Sequence, residues 1–527
     1  MGRLSKALLT ILLATAAILS SPLAMAQDKT HLWPTREWST SSPEEQGVSS
    51  ERLARLVEFG AFNDMDSVLV TRHGRIVLEA TYAPFRAGLK HRVYSVTKSV
   101  VSTLVGMALA DGKLDSTDRR VVDFFADRTI ANLDDAKKAI TVRQLLDMTS
   151  GLTWQEGLSG ASESYIAMVR SPDWQQFILD HPMAAAPGTR FFYSSGNSHL
   201  LSAILSKVTG RSAHDYAQEK LFGPLGIDDV LWQADPQGIS GGGAGLYLQP
   251  RDMAKIGYLW LRGGLWEGKQ ILPAAWIEGV RQADVDMRES WASDLRYGRQ
   301  FWVMPLRDAF MAVGYHRQLI VVMPKLDIVA VVTGSSRFSS PNGMPSTPRY
   351  GLGTLAGHLE AAVTSDAAIA ADPAATAQLA ERVKEAAVER PAPAGGSSAM
   401  AKAVSSKTWR FAAGNAARVK SITFRLDDPV PSFEYELDNV PSGAPAGPYG
   451  GPIGFDGHYR TGGRMPYGPG AARGAWSADG KSLVLEVQTL GNDDAAQVTH
   501  VFGDKTVEVS FESAGGFKLK LEGRADD

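Results

Sequence analysis

Ser95 and Lys98 stand three residues apart at the head of an apolar run, VYSVTKSVVSTLVGMALADG, Val93 to Gly112. Residues at i and i+3 share one face of a helix. A lysine held beside a serine hydroxyl in a partly dry pocket can lose its own proton and accept the serine's, which makes the pair a nucleophile and its base. At the first turn of a helix, backbone N–H groups and the dipole favour negative charge, so an oxyanion forming at Ser95 would be stabilised there. Serine is also a common N-cap, so a purely structural use is open. The chain contains no other Ser-x-x-Lys. A rival nucleophile is Ser240, at the centre of GISGG, which matches G-x-S-x-G. A nucleophile elbow needs a strand before the serine and a helix after it. ADPQ precedes Ser240 and more glycine follows, which reads as a loop.

The elements that must position Ser95 and Lys98 follow from periodicity. MDSVLVTRHGRIVLEATY predicts a hairpin of two apolar strands around His73-Gly74. Val100, Val101, Leu104, Val105 and Ala108 give the next segment the apolar face of a helix, and Gly112 ends it. Much later, RQFWVMP, FMAVG, QLIVVMP and DIVAVVTG read as consecutive antiparallel strands. The expected fold class is α/β (α+β): one antiparallel sheet closed late by the chain and flanked by helices, plus a helical subdomain. This domain is expected over residues 27–365. Residues 366–400 read as an Ala-rich helical stretch followed by a plain linker, PAPAGGSSA. Residues 401–527 carry short alternating runs, SITFRL, SFEYEL, SLVLEV, TVEVSF and FKLKLE. They predict a small antiparallel β domain, sandwich or barrel, that folds as its own unit.

Bulk properties narrow the function. The chain has 527 residues, a net charge of -3 and no cysteine. The charge is too small to point to nucleic acid as a partner. The lack of cysteine removes disulfides, thiolate zinc sites and cysteine nucleophiles together. The ten histidines show no metal-ligand spacing, and no phosphate-binding glycine loop is present. No metal and no cofactor is expected. Arg3 and Lys6 precede an apolar stretch, Ala7 to Leu19, which is followed by SPLAMA, ending in Ala24-Met25-Ala26. Together they predict a secretory signal peptide over residues 1–26, cleaved after Ala26, and hence a periplasmic or secreted protein. The apolar stretch is too short to span a bilayer comfortably, so no stable membrane span is expected after cleavage.

Four further blocks carry a family resemblance: LLDMTSGLTW (Leu145–Trp154), APGTRFFYSSGNSHLLSAILSKVTGRS (Ala186–Ser212), GAGLYLQPRDMAKIGYLWLRGGLWEGKQILP (Gly243–Pro273) and AVGYHRQLIVVMP (Ala312–Pro324). In this order, after Ser95 and Lys98, the chain resembles the β-lactamase-related serine hydrolases from about Trp33 to Gly357. That family includes class C β-lactamases, penicillin-binding DD-peptidases, esterases and nylon-oligomer hydrolases. The resemblance implies that Ser95 is the nucleophile and that Tyr193, in Tyr193-Ser194-Ser195, is a phenolate-type base working with Lys98. Ser195 replaces the family's usual Asn. The third motif, on a sheet-edge strand, falls on Tyr315-His316-Arg317-Gln318. His316 and Arg317 stand where many relatives have glycines, and the Gln318 N–H would join that of Ser95 as the oxyanion hole. A lysine beside a phenol is expected to lower the phenol's pKa.

These readings predict an exported serine hydrolase that works through an acyl-enzyme on a small-molecule ester or amide. It is expected to be carboxylesterase-like, with weak or no β-lactamase activity. Tyr315 occupies the place of the lysine with which penicillin-recognising relatives meet a carboxylate. If the segment is an extended strand, Arg317 shares the face of Tyr315 and partly restores that cation. The alternatives are a non-catalytic cell-envelope binding protein on the same fold, or a D-amino-acid peptidase or β-lactamase.

Overall fold

Alternation along the strands decides the layering. In Met65–Arg72 all eight residues are buried. Leu69 enters one hydrophobic core, while Val68 and Val70 enter another on the opposite face. Ile320 and Val322, and Val329 and Val331, join the core of Leu69; their neighbours Leu319, Val321, Ala330 and Val332 join the second. A strand buried on both faces reads as a continuous apolar run, and these do.

The computed structural model describes residues 32–156, 162–287, 294–336, 352–392, 398–438, 445–492, 495–514 and 516–526. The expected leader, 1–26, lies outside them. The first domain is built on an eight-stranded antiparallel sheet. Its N-terminal hairpin, Met65–Arg72 and Arg75–Thr81, turns at His73 and Gly74, both with positive φ. Met65–Arg72 then pairs with the last strand, Ile328–Gly334, so the chain closes its sheet late, as expected. Outward from there follow Gln318–Met323, Ala309–Gly314, Phe301–Met304, Arg296–Gly298 and Val285–Asp286.

Helices cover both faces. The first core packs the sheet against Val96–Ala110, Ser195–Thr209 and Pro250–Leu261. The second packs it against Ser50–Phe62, Leu352–Ala362 and Pro373–Ala386. The last of these corrects the expected boundary. Leu379 is a buried member of the second core, so residues 373–386 belong to the first domain and do not act as a spacer.

Beyond residue 400, ten strands from Thr408–Phe411 to Lys518–Ala525 close into an antiparallel barrel, the last pairing with the first. Among the described residues no helix is long and apolar enough to cross a membrane.

Candidate active site

Ser95 precedes the helix Val96–Ala110, and the residue before it, Tyr94, is held at φ 46°. A left-handed tyrosine is a strained conformation, tolerated where the surroundings fix it. The turn leaves Ser95 half-buried at the helix N-terminus while Lys98, one turn on, is 1% exposed. Ser95 sits in the N-cap position, yet its side chain makes no capping hydrogen bond. Its Oγ instead accepts from Lys98 Nζ at 2.9 Å. The Ser95 side chain is thus not used as a helix cap.

Lys98 Nζ has two further acceptors, Ser195 Oγ at 2.8 Å and the Gly243 carbonyl at 2.8 Å. Ser195 passes the contact on: its Oγ donates to Glu156 Oε1 at 2.6 Å and its N–H to Glu156 Oε2 at 2.7 Å. Trp154 Nε1 also donates to Glu156 Oε2, at 2.7 Å. Burial lowers the Lys98 pKa from 10.5 to about 8, against the opposing pull of the Glu156 carboxylate. The N-termini of two helices, at Val96 and Ser195, converge on the same ammonium and disfavour its charge further. A buried cation is disfavoured because hydration is lost without an equal return.

Tyr193 lies over this pair. Lys98 Nζ is 4.9 Å from its ring centre, and its hydroxyl hydrogen-bonds with Ser95. An edge contact with Tyr297 and a tilted one with Trp302 hold the ring, at centroid distances of 6.3 and 6.1 Å. The expected lowering of its pKa is corrected. Burial first, then the Glu156 charge, push the phenol's pKa up, and the bond with Ser95 opposes this only in part. Burial and the Glu156 charge thus act against the lowering expected from Lys98.

Two glycines permit the close approaches. A Cβ on Gly243 would stand 2.6 Å from the Ser195 Cβ, so only glycine lets its carbonyl reach Lys98. A Cβ on Gly314 would stand 2.3 Å from the Val93 carbonyl, 2.9 Å from the Gln318 Cβ and 3.3 Å from the Ser95 N. The backbone of Ser95 and the Gly314–Gln318 pair thus meet edge to edge, which brings Gln318 close to Ser95.

The rest of the third motif departs from expectation. Tyr315–Arg317 is not part of a strand but a three-residue turn joining Ala309–Gly314 to Gln318–Met323, and these strands lie inside the sheet. Gly314 pairs with Gln318, so the chain must reverse within those three residues, and His316 and Arg317 adopt φ 53° and 64° to do it. Strand alternation does not apply. Tyr315 is exposed and meets the Tyr94 ring edge-on at 5.8 Å. His316 is buried beside both rings. Arg317 lies in the field of Asp64 and Asp66, at the start of the strand Met65–Arg72, and burial lowers its pKa. It does not restore the missing cation on the face of Tyr315. The Gln318 side chain donates to the carbonyls of Gly334 and His316, locking the turn.

Ser240 is structural. Its Oγ accepts from the His214 N–H at 3.1 Å, its carbonyl accepts from Ser202 Oγ at 2.7 Å, and it is 2% exposed. The loop it belongs to is held by His199, whose Nδ1 accepts from the Gly242 N–H at 3.4 Å while Nε2 pairs with Asp235 at 3.0 Å. That pair steadies Gly243 and hence Lys98. Glu156 is the site residue that sequence reasoning missed. A lone acid two residues after Trp154 carries no spacing signal, and its partner Ser195 is 39 positions away.

Among the described residues no cluster of His, Asp or Glu could hold a metal ion. Residues 61–352 match the family described as Beta-lactamase. A 6-aminohexanoate-dimer hydrolase from Paenarthrobacter ureafaciens is 26% identical over 290 residues, spanning 51% of this chain and 72% of that protein. A monacolin J acid methylbutanoyltransferase from Aspergillus terreus is 26% identical over 165 residues, 28% of this chain and 40% of that one. The solved structure of a protein named as a 6-aminohexanoate-dimer hydrolase of Bacillus anthracis covers 63% of this chain and 90% of its own, with a TM-score of 0.50 at 22% identity. That last likeness is one of fold.

Proposed function

The chain belongs to the beta-lactamase family, and from that premise we propose that it is an exported serine hydrolase with Ser95 as nucleophile and Lys98 as base, acting on carboxylic esters. The observation that carries this reading is the 2.9 Å contact of Lys98 Nζ with Ser95 Oγ, made by a lysine whose pKa burial brings to about 8. Near pH 7 about a tenth of such lysines are neutral, enough to serve as a base. In that form Nζ keeps two donors, for Ser195 Oγ and the Gly243 carbonyl, and turns its lone pair to Ser95.

The Ser95 proton then passes to Lys98 as Oγ bonds to the acyl carbon. The oxyanion is held at the Ser95 and Gln318 backbone N–H groups. On collapse the ester C–O bond breaks, and the leaving alcohol takes the proton from Lys98 through the Tyr193 hydroxyl. Water attacks the acyl-enzyme next. Its proton goes to Lys98, the acid departs, and Ser95 is reprotonated. The predicted leader, residues 1–26, supports export.

Ester preference rests on the lip of the cleft. Tyr315 stands where penicillin-recognising relatives resemble one another in carrying a cation, and Arg317 faces Asp64 and Asp66. A missing charge-assisted contact lowers affinity by about ten- to a hundredfold. Amide hydrolysis is a second reading, favoured by the name of the Paenarthrobacter relative. The test compares kcat/KM for nitrophenyl butyrate, nitrocefin and the 6-aminohexanoate dimer, with Ser95→Ala as control. The ester is expected to lead by at least tenfold. Nitrocefin or the dimer ahead of the ester overturns the substrate class, and turnover retained in Ser95→Ala overturns the nucleophile.

A further inference from the structure

The barrel's sequence fills one end and leaves the other empty. In its strands alternate residues point inward. Near the end that includes Trp476 and Thr506 the inward residues are bulky. Trp409, Phe424, Trp476 and Phe502 pack there with ring centroids 5.3–5.9 Å apart. The helix Met400–Val404 closes the same cluster through Val404. Toward the opposite end, where Val487 pairs with Ala496 and Ala496 with Ser513, the inward residues include the small Ala496 and Ser513. Barrel width grows with strand number, and about eight strands already leave room for one small ligand. Ten strands with small residues at one end enclose a cavity of about 500 Å³. Inward residues such as Val487, Val498 and Leu521 remain partly exposed for that reason.

The walls are hydrocarbon: Ile422, Phe433, Leu485, Val498, Val509 and Leu521 are typical, and no Asp, Glu, Lys or Arg is among the lining residues. Burial lowers the pKa of His500, deep in the cavity, to about 4, so it is neutral there. Polar groups gather at the wide end, where Thr489, Ser513 and Tyr467 line the cavity. An uncharged apolar tube with polar groups at one end matches an unbranched amphiphile, tail inward. The volume falls in the range of about 300–1,000 Å³ in which proteins enclose small ligands.

The wide end is also where the barrel meets the first domain. Directly after Thr489, Leu490 packs on Phe85 and Leu89. The Gly491 carbonyl accepts from the Arg92 N–H at 2.7 Å, and Asn492 Oδ1 accepts from the Tyr94 hydroxyl at 3.1 Å. The polar end of a bound amphiphile is therefore a few residues from the turn that carries Ser95.

We propose that the barrel cavity binds the hydrocarbon tail of a single-chain amphiphile, such as a fatty acid or its ester, with its polar head toward Thr489 and the first domain. Binding uses none of the groups that act on Ser95, so it stands apart from the hydrolase reading. The test uses the full chain carrying Ser95→Ala, so that nothing is turned over. A saturated fatty-acid series from eight to sixteen carbons is titrated against a fluorescent fatty-acid probe. Affinity is expected to rise about fourfold per methylene until the cavity is filled, then level off. A diazirine-bearing dodecanoic acid is expected to label peptides within 416–521, and unlabelled dodecanoate to displace it. Ala496→Trp, which fills the wide end, is expected to lower affinity at least tenfold with the near-ultraviolet dichroism retained. No saturable binding, no dependence on chain length, or label confined to the first domain overturns the proposal. So does unaltered affinity in a folded Ala496→Trp protein.

Discussion

Lys98 is the residue on which the chemistry turns, because its three contacts are satisfied in either protonation state. As an ammonium it donates to Ser95, Ser195 and Gly243; as an amine it donates to two and accepts from the third. Bringing its pKa from 10.5 to about 8 is worth about 3 kcal/mol of lost preference for the charge. On the proposed mechanism the base is the unprotonated form, so activity is expected to rise with pH. Below about pH 8, kcat/KM for a nitrophenyl ester is expected to climb tenfold per pH unit and then level off. Arginine does not deprotonate, so Lys98→Arg should lose at least a thousandfold, on the order of one missing acid–base group. Glu156 sets the position of the acidic limb. Its charge holds the Lys98 pKa up. Removing it in Glu156→Gln should move the limb to lower pH while Ser195 keeps an oxygen acceptor. A pH profile that stays in place would show that Glu156 only braces the loop.

At the scale of elements, the site is an edge-to-edge meeting of the helix Val96–Ala110 with the strand Ala309–Gly314, and Gly314 is its narrowest point. A methyl there would press on the Val93 carbonyl at 2.3 Å. Gly314 has φ -114°, so alanine is not excluded by its backbone conformation, only by space. Gly314→Ala should push Ser95 away from Gln318 and cost kcat roughly a hundredfold, the order expected of a displacement near 1 Å. A crystal structure of the variant and its kcat against KM would check this; an unchanged kcat would mean the two backbones do not share an oxyanion. How far such elements are legible in sequence depends on their signal. The apolar helix, the His73-Gly74 hairpin and the late strands Ala309–Gly314, Gln318–Met323 and Ile328–Gly334 are long, periodic and buried, and their patterns lead directly to the fold. The Tyr315–Arg317 turn is not legible, because bulky residues in left-handed conformations carry no turn signature of the glycine kind. Half the barrel is hidden in the same way. Strands such as Gly447–Pro452, Arg460–Met465 and Gly468–Trp476 are rich in glycine and proline and form because neighbouring strands impose them.

At the scale of the whole molecule, two of the contacts that tie the barrel to the catalytic turn, beside the Gly491–Arg92 backbone bond, differ in kind. Leu490, 2% exposed, sits in a small apolar cluster with Phe85, Leu89 and Ala471. Asn492 receives the Tyr94 hydroxyl at 3.1 Å. The cluster supplies adhesion, and the hydrogen bond supplies position, since Tyr94 is the strained residue that presents Ser95. The two should therefore separate on mutation. Leu490→Asp buries an unpaired carboxylate at a cost of about 3 kcal/mol or more, which the molecule can relieve by parting the domains. Calorimetry is expected to show two resolved transitions for this variant and a single one for the wild type. Asn492→Ala leaves the apolar cluster whole and removes a contact worth about 1 kcal/mol, so the thermogram should be unaltered. Tyr94 then relaxes more readily from φ 46°, and kcat on a short ester is expected to fall about fivefold, the equivalent of that contact, with KM unchanged. The discriminating comparison is kcat in Asn492→Ala. If it equals the wild type while Leu490→Asp lowers it, the barrel acts on the site through docking alone, and the Tyr94 hydrogen bond does not position the nucleophile.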